Sequence, residues 1–578
     1  MWRSPIITLA VSDCAQYESP NELNWREIRP TGLMQEKPQE KPREKPIDMR
    51  AFRWAWTSFM VLATSVPYLV FWFQTPAGHR YSWILPPYPE DSFGYMAWSQ
   101  QAAHGRLLFQ LKYTALPHSA FLFHPFFLVA GWISRFFGCD IGIVHWSLKA
   151  VGVILFFCAF YRYIDYLKLS RLQSILASVL VGISSGVGGL LAFSGLAKQW
   201  QIVPADLRLP EVSTYWSLLW NPLFPYSLTL IVLIIYWLDS GTRDARKSDL
   251  WLGGFTTGIL ALLHPYALPL LFAYAVIVTV ARRGRAALGF LLRFFAAASP
   301  LVLYVVLVSV LQPLVSRHSG RGGMKSPDLV DYALGFGFPL LICVAGLTVK
   351  PGQWAKRYWQ LILWFLLSLV FSYLPFWFQR KLIFGAQIPL CILAAISLDL
   401  ILTRASWLRS RKWAKVSAAV ILLSLLISTP AYLFLSEAEE VRHDAYGTYY
   451  IGNEMMEGLN FLKDRTRPND VVFATWETSR LIPAFAGNTV LWGHWAMSVD
   501  LEERKQWDAH LFDKNSNWQD PHRSNDFWGT DIQYIFADGG MKESIEQYPE
   551  VWRVMLNDAD KVFANGSVVI YKHRAGRS

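Results

Sequence analysis

Glu90 and Asp91 are adjacent carboxylates inside Pro86-Pro87-Tyr88-Pro89-Glu90-Asp91-Ser92-Phe93-Gly94-Tyr95, with Trp98 beyond. A carboxylate in such an aromatic, proline-stiffened setting can serve as a general base, a metal ligand or a cation site. A solvated acidic turn is the plainer reading of the same pair. Neighbouring side chains diverge on a helix or turn, so one is expected inward and the other outward. Asp91 is taken as the inward one, because a shorter, stiffer side chain suits a fixed base. Tyr95 is expected to share its surroundings.

Arg380-Lys381 follow Phe376-Trp377-Phe378-Gln379 at the end of an apolar run. Two adjacent cations there call for an anion, and a phosphate is the simplest, with lipid headgroup contact as the alternative. Arg317, His318, Arg321 and Lys325 form a second basic cluster. Gly320, Gly322 and Gly323 would let backbone approach an anion there, although a solvated loop explains it too. His264-Pro265-Tyr266 interrupts a helical pattern, since proline stops a helix. His104, His118 and His124 share a loop with Asp91. They show no fixed metal-ligand spacing, so a divalent metal is left open and no residue is assigned to one. His124 and His264 are candidates for the wall of a substrate cavity. No P-loop, dinucleotide fingerprint, His-Glu-x-x-His or Gly-x-Ser-x-Gly occurs where it could function.

The elements that must hold these residues are membrane helices. The 578-residue chain is 53% hydrophobic, and its 27 tryptophans suit interfacial belts. Apolar runs of roughly 17–25 residues recur along it. The net charge of +11 gathers in short loops between those runs, so it calls for no nucleic acid. Five cysteines make no disulfide framework. About eleven spans are expected, with ten to thirteen allowed: 52–73, 141–161, 172–193, 223–238, 250–263, 266–281, 287–311, 330–349, 358–376, 382–402 and 416–435. Residues 121–137 are apolar but read as a juxtamembrane or re-entrant helix. Counting them as a span would put Arg243, Arg246, Lys247, Arg282, Arg283 and Arg285 outside. The first run starts near residue 52 and is long enough to remain as an anchor.

The expected architecture is a polytopic α-helical membrane protein with a small C-terminal α/β domain. Residues 1–50 are a proline- and lysine-rich disordered cytoplasmic tail. Residues 51–435 form the multi-span domain, with a first outside loop over 75–140. Residues 436–578 are polar and extracytoplasmic by charge parity. In that last region 454–463, 479–486 and 501–512 read as helices, and 471–474, 489–492, 532–537 and 567–572 as strands.

Together these features resemble the GT-C superfamily of integral-membrane glycosyltransferases. The resemblance rests on Glu90-Asp91 in the first outside loop, the following His124-Pro125-Phe126, and the large bundle with an odd number of spans. It rests also on a C-terminal series: Phe461-Leu462-Lys463-Asp464, Pro468-Asn469-Asp470-Val471-Val472, Ile482-Pro483-Ala484-Phe485-Ala486-Gly487 and Gly493-His494. It looks most like bacterial mannosyl- and aminoarabinose-transferases; the Trp-Trp-Asp signature of oligosaccharyltransferases is absent from the C-terminal region. The resemblance implies a polyprenyl-phosphate sugar donor entering from the bilayer. It implies a saccharide, lipid or protein acceptor and transfer to a hydroxyl with inversion, in a bacterial cytoplasmic membrane. Asp91, with Glu90 beside it, would be the catalytic carboxylate. Arg380, Lys381 and Arg321 would hold the donor phosphate.

Two other classes fit the composition. A flippase or transporter for a lipid-linked saccharide would need charged residues in mid-span and an inverted repeat. Most expected spans lack central charges, and no such repeat is evident. A non-catalytic envelope protein would tolerate loss of the Asp91 side chain.

Overall fold

In the computed structural model the apolar runs are helices, as an unbroken backbone ladder requires in a medium without water. The structure describes residues 48–312, 314, 324–349, 351–404, 412–444, 447–502, 505 and 532–574. Residues 1–47 of the tail expected over 1–50 and Arg317, His318 and Arg321 lie outside the described residues, as does most of the helix expected over 501–512.

The first half contains α1 (Met49–Phe73), α2 (Pro89–Ala103), α3 (Pro125–Phe137), α4 (Ile141–Tyr166), α5 (Arg171–Ile183) and α6 (Phe224–Arg243). Next come α7 (Lys247–Leu263), α8 (Leu268–Arg283), α9 (Ala287–Leu311), α10 (Leu329–Val349), α11 (Pro351–Phe371), α12 (Gln387–Arg404) and α13 (Lys412–Arg442). Each expected span overlaps one of these helices. By length and apolarity, seven stretches can cross a membrane: Met49–Phe73, Ile141–Tyr166, Phe224–Arg243, Pro265–Leu311, Leu329–Thr348, Gln379–Arg404 and Ala419–Arg442. The chain is a multi-pass helical membrane protein. On α9, Leu288, Leu292, Leu303, Val306, Val310 and Leu311 are exposed, a row that suits lipid and not water.

Two expectations need correction. The helix expected over 172–193 stops at Ile183, because Ser184–Gly186 leaves the helix where the Val187 amide donates to the Leu334 carbonyl at 2.9 Å. A short helix, Gly188–Phe193, then resumes. The α-helix expected to begin at 382 begins at Gln387, because a 3-10 turn over Gln379–Ile383 carries the chain into it.

The C-terminal region is α/β. It contains β3 (Val471–Phe473), β4 (Thr489–Val490), β5 (Ile532–Ala537), β6 (Ala559–Ala564) and β7 (Val569–His573), preceded by β1 (His79–Tyr81) and β2 (Tyr450–Gly452). The five-stranded sheet has the order β4-β3-β5-β7-β6. β3 is parallel to both β4 and β5, and β7 is antiparallel to β5 and β6. β6 was missed from sequence: Ala559–Ala564 is short and largely exposed, without a clean alternation. Its helices are α14 (Asn453–Arg465), α15 (Trp476–Phe485), α16 (Gly539–Gln547) and α17 (Pro549–Asn557).

This region does not stand apart. Residues 49–578 form one compact unit. β1 of the first loop pairs antiparallel with β2, and α15 packs along α2. Lys112 in the first loop is buried against the C-terminal region, donating to the Pro468 carbonyl at 2.7 Å and Asn469 Oδ1 at 3.1 Å. Burial pulls its pKa down to about 8.

Candidate active site

α2 is built to present its first turn. Pro89 takes the position where a missing N–H costs nothing, and Glu90 and Asp91 sit where the helix dipole favours negative charge. Along the helix Asp91, Tyr95 and Trp98 fall on one face by their spacing of four and three. All three line one cavity of about 320 Å³. Glu90 is turned roughly 100° away. Its Oε1 accepts from Arg480 Nη1 of α15 at 3.1 Å. Gly94 lies one turn on, and a Cβ there would come within 2.6 Å of Met497 Cε and 3.1 Å of His494 Nε2. The bare glycine is what lets the C-terminal region close onto α2.

Asp91 is partly buried. Its Oδ1 accepts from Trp495 Nε1 at 3.0 Å and lies 3.8 Å from His494 Nε2. Its Oδ2 has no hydrogen-bond donor among the described residues. Burial pushes the Asp91 pKa up, opposed by the Lys381 charge and the Trp495 hydrogen bond.

Lys381 enters the cavity from the 3-10 turn, with Nζ 2.6 Å from Glu211 Oε1. Lys381 is thus paired with a carboxylate at the cavity wall. Glu211 is buried; burial raises its pKa, but Lys381 and Arg380 outweigh that, and the net shift is downward. Glu211 Oε2 is buried without a hydrogen-bond partner among the described residues, and so is Arg380 Nε. Arg380 does not line the cavity, but its charge acts on Asp91, Glu211 and Tyr88.

The remaining walls change character along the cavity. Asn221 Nδ2 donates to Tyr95 Oη at 3.2 Å. His264 caps α7, and its ring meets Phe384 at 4.8 Å. His124 stands before α3 with its ring on Phe127 at 4.1 Å, and burial lowers its pKa to about 3. His264 Nε2 and His124 Nδ1 are buried without hydrogen-bond partners among the described residues. Beyond them Phe121, Leu122 and Phe123 face Tyr304, Val305 and Val308 of α9. Tyr304 ties the two together, donating to the Phe121 carbonyl at 2.8 Å and accepting from the Phe123 amide at 2.7 Å. One end of the cavity thus holds a carboxylate and a cation, and the other is apolar and adjoins the exposed face of α9.

Among the candidates named from sequence, Asp91, Tyr95, His124, His264 and Lys381 share this cavity. Glu90 faces Arg480 instead. Glu211, Asn221, Tyr266 and Trp495 were not singled out. Gly493-His494 already marked the segment that brings in Trp495, and Glu211 has no sequence neighbour to betray its partner. Among the described residues no three His, Cys, Asp or Glu side chains gather as a metal site.

No protein-family model and no curated protein matches the chain. Among solved structures it is similar to AglB, an archaeal oligosaccharyltransferase from Archaeoglobus fulgidus in complex with an inhibitory peptide and a dolichol-phosphate. That match has 12% identity, covers 88% of this chain and 72% of that one, and has a TM-score of 0.44. A second is ArnT from Cupriavidus metallidurans bound to undecaprenyl phosphate, with 12% identity, 89% and 98% covered, and a TM-score of 0.46. A third is the mycobacterial arabinofuranosyltransferase AftD, with 13% identity and a TM-score of 0.49; it covers 91% of this chain, which spans only 42% of that longer one.

Proposed function

We propose that this protein is a membrane glycosyltransferase that moves a sugar from a polyprenyl-phosphate donor to an acceptor hydroxyl. The observation that supports this most is the cavity that has the Asp91 carboxylate and Lys381 at one end and an apolar wall at the other. That combination suits an amphiphile with an anionic head and a hydrocarbon tail. Of the motifs that resemble the GT-C superfamily, Glu90-Asp91 and His124-Pro125-Phe126 contribute Asp91 and His124 to this cavity.

In this reading the acceptor oxygen attacks the anomeric carbon of the donor. Its proton passes to the unpartnered Oδ2 of Asp91. The bond between the anomeric carbon and the phosphate oxygen breaks, and the electron pair leaves with the lipid phosphate. A hydroxyl is a weak nucleophile, so the carboxylate that takes its proton matters to the rate. Charge growing on the leaving phosphate is met by Arg380 and Lys381, fixed before the reaction begins. Glu211 holds Lys381 until phosphate shares it. The single displacement inverts the anomeric centre. The site lies on the extracytoplasmic face of a bacterial cytoplasmic membrane, with the basic loops inside.

The test is sugar transfer from a polyprenyl-phosphate donor in liposomes containing the purified protein. Wild type should transfer and Asp91→Asn should not, at equal insertion. Movement of the intact donor between leaflets without transfer would contradict the reading.

A further inference from the structure

A second cavity lies wholly in the C-terminal region, apart from the one that Asp91 lines. It measures about 410 Å³ and is lined by Phe473, Thr475, Trp476, Glu477, Trp492 and Gly540, among others. That is within the range of ligand pockets, roughly 300–1,000 Å³. Its position follows from the sheet. The chain leaves β3 for α15 and then β4 on one side, while β5 lies on the other side of β3. The carboxyl ends of parallel strands, where strand order reverses, form a crevice that open α/β sheets use for ligands. Thr475 follows β3, and Gly540 lies in the first turn of α16 just after β5.

The lining is chemically selective. Trp476 and Trp492 give two indole surfaces. Beside them the Glu477 carboxylate has no hydrogen bond or ion pair among the described residues. Ser544 Oγ accepts from Trp552 Nε1 at 3.2 Å, leaving its own proton to donate. Thr475 and Thr478 both donate to Asp538 Oδ2, which fixes the rim. Indoles beside carboxylate and hydroxyl groups match a saccharide, whose C–H faces stack on rings while its hydroxyls reach acceptors and donors.

Two segments that line this cavity also reach the first turn of α2. Trp492 lines the second cavity, and Trp495, three residues later, donates to Asp91. Trp476 and Glu477 open α15, and Arg480, one turn on, pairs with Glu90. We infer that this cavity is a saccharide subsite that holds the acceptor glycan at a distance from its reacting hydroxyl. The acceptor role rests on the glycosyl-transfer reading; the binding itself does not.

The test is saturation-transfer-difference NMR on the full-length protein in nanodiscs, with maltotriose, mannotriose and chitotriose as separate probes. At least one should give a saturable signal. Trp476→Ala should weaken it about tenfold, as loss of one stacking ring implies. Gly540→Leu should weaken it too. A Cβ at Gly540 meets only Asp538 Oδ1 at 3.6 Å and Thr475 Cγ2 at 3.7 Å, so that variant fills space and leaves every aromatic ring in place. Asp91→Asn should bind as wild type does. No saturable signal from any of the three, or one untouched by both cavity variants, overturns the inference. If Asp91→Asn abolishes transfer while no trisaccharide binds, the subsite alone fails. If a trisaccharide binds at the cavity while the wild type transfers no sugar, the transferase reading alone fails.

Discussion

Asp91 and Asp239 are both aspartates in contact with the helix bundle, but they are held in opposite ways. Asp239 is fully buried. Its Oδ1 accepts from Arg282 Nη1 at 2.9 Å and Tyr274 Oη at 3.1 Å, and its Oδ2 from Tyr163 Oη at 3.1 Å. It lies fifteen residues along α6 from Phe224, which lines the Asp91 cavity, so by helical rise the two sites are about 22 Å apart. Every oxygen of Asp239 is used, and the network ties α4, α6 and α8 together at the far end of the bundle. Asp91 has one oxygen engaged and one turned to a cavity. A saturated carboxylate fixes helices; a half-satisfied one beside a cation and an apolar slot is available to a substrate.

The sharpest way to break this contrast is to neutralise each aspartate. Asp91→Asn should lower turnover by about 10²–10⁴-fold and leave thermal stability nearly unchanged. Asp239→Asn should do the reverse. It strands the Arg282 guanidinium in a buried place, so stability should fall by about 3–5 kcal/mol while the folded fraction keeps its turnover. Transfer assays paired with thermal unfolding in detergent separate the outcomes. Equal behaviour of the two variants would remove the distinction.

The cations come next. Changing both Arg380 and Lys381 to Gln should raise the apparent KM for donor by roughly ten- to a hundredfold, the worth of about 1.5–3 kcal/mol of charge-assisted hydrogen bonding to phosphate. An unchanged donor KM would take both residues out of the site. Glu211→Gln sharpens the same point through stability. The folded pKa of Glu211 lies below its ordinary 4.5. Its ionised form therefore contributes stability that is present above that value and lost as pH falls through the folded one. Wild type should exceed Glu211→Gln in stability at neutral pH, and the gap should close in acid. The smallest effect belongs to Glu90→Gln. Glutamine keeps an oxygen to accept from Arg480, and the loss should stay below about tenfold in turnover, short of what removing a general base costs. A larger loss than in Asp91→Asn would mean that the roles of the pair are exchanged.

The helices were legible in the sequence because apolar length and loop charge state them directly, and α3 was readable as separate from the spans by its His124-Pro125 start and Arg135. The divergence of Glu90 and Asp91 was legible too, since helical geometry turns neighbours apart. The partners of these residues were not. Trp495 lies more than four hundred residues from Asp91, and Glu211 is 170 residues from Lys381. Nothing local distinguishes a loop glutamate that meets a lysine from one that meets water. The break after Ile183 has a local signal in Ser184-Ser185-Gly186, but the hydrogen bond that holds the bend, from the Val187 amide to the Leu334 carbonyl, is not local.

The most direct test of the Asp91 assignment is the pH dependence of transfer. Burial raises its pKa above the ordinary 3.8 despite Lys381. The base works only when ionised, so kcat/KM should fall with unit slope as pH drops through that raised value. Removing the Lys381 charge should move the limb to still higher pH. Measured on wild type and on the residual activity of Asp91→Asn, the acid limb should be present in the first and gone from the second. An acid limb that persists unchanged in Asp91→Asn would assign the proton acceptor to another group and contradict the account.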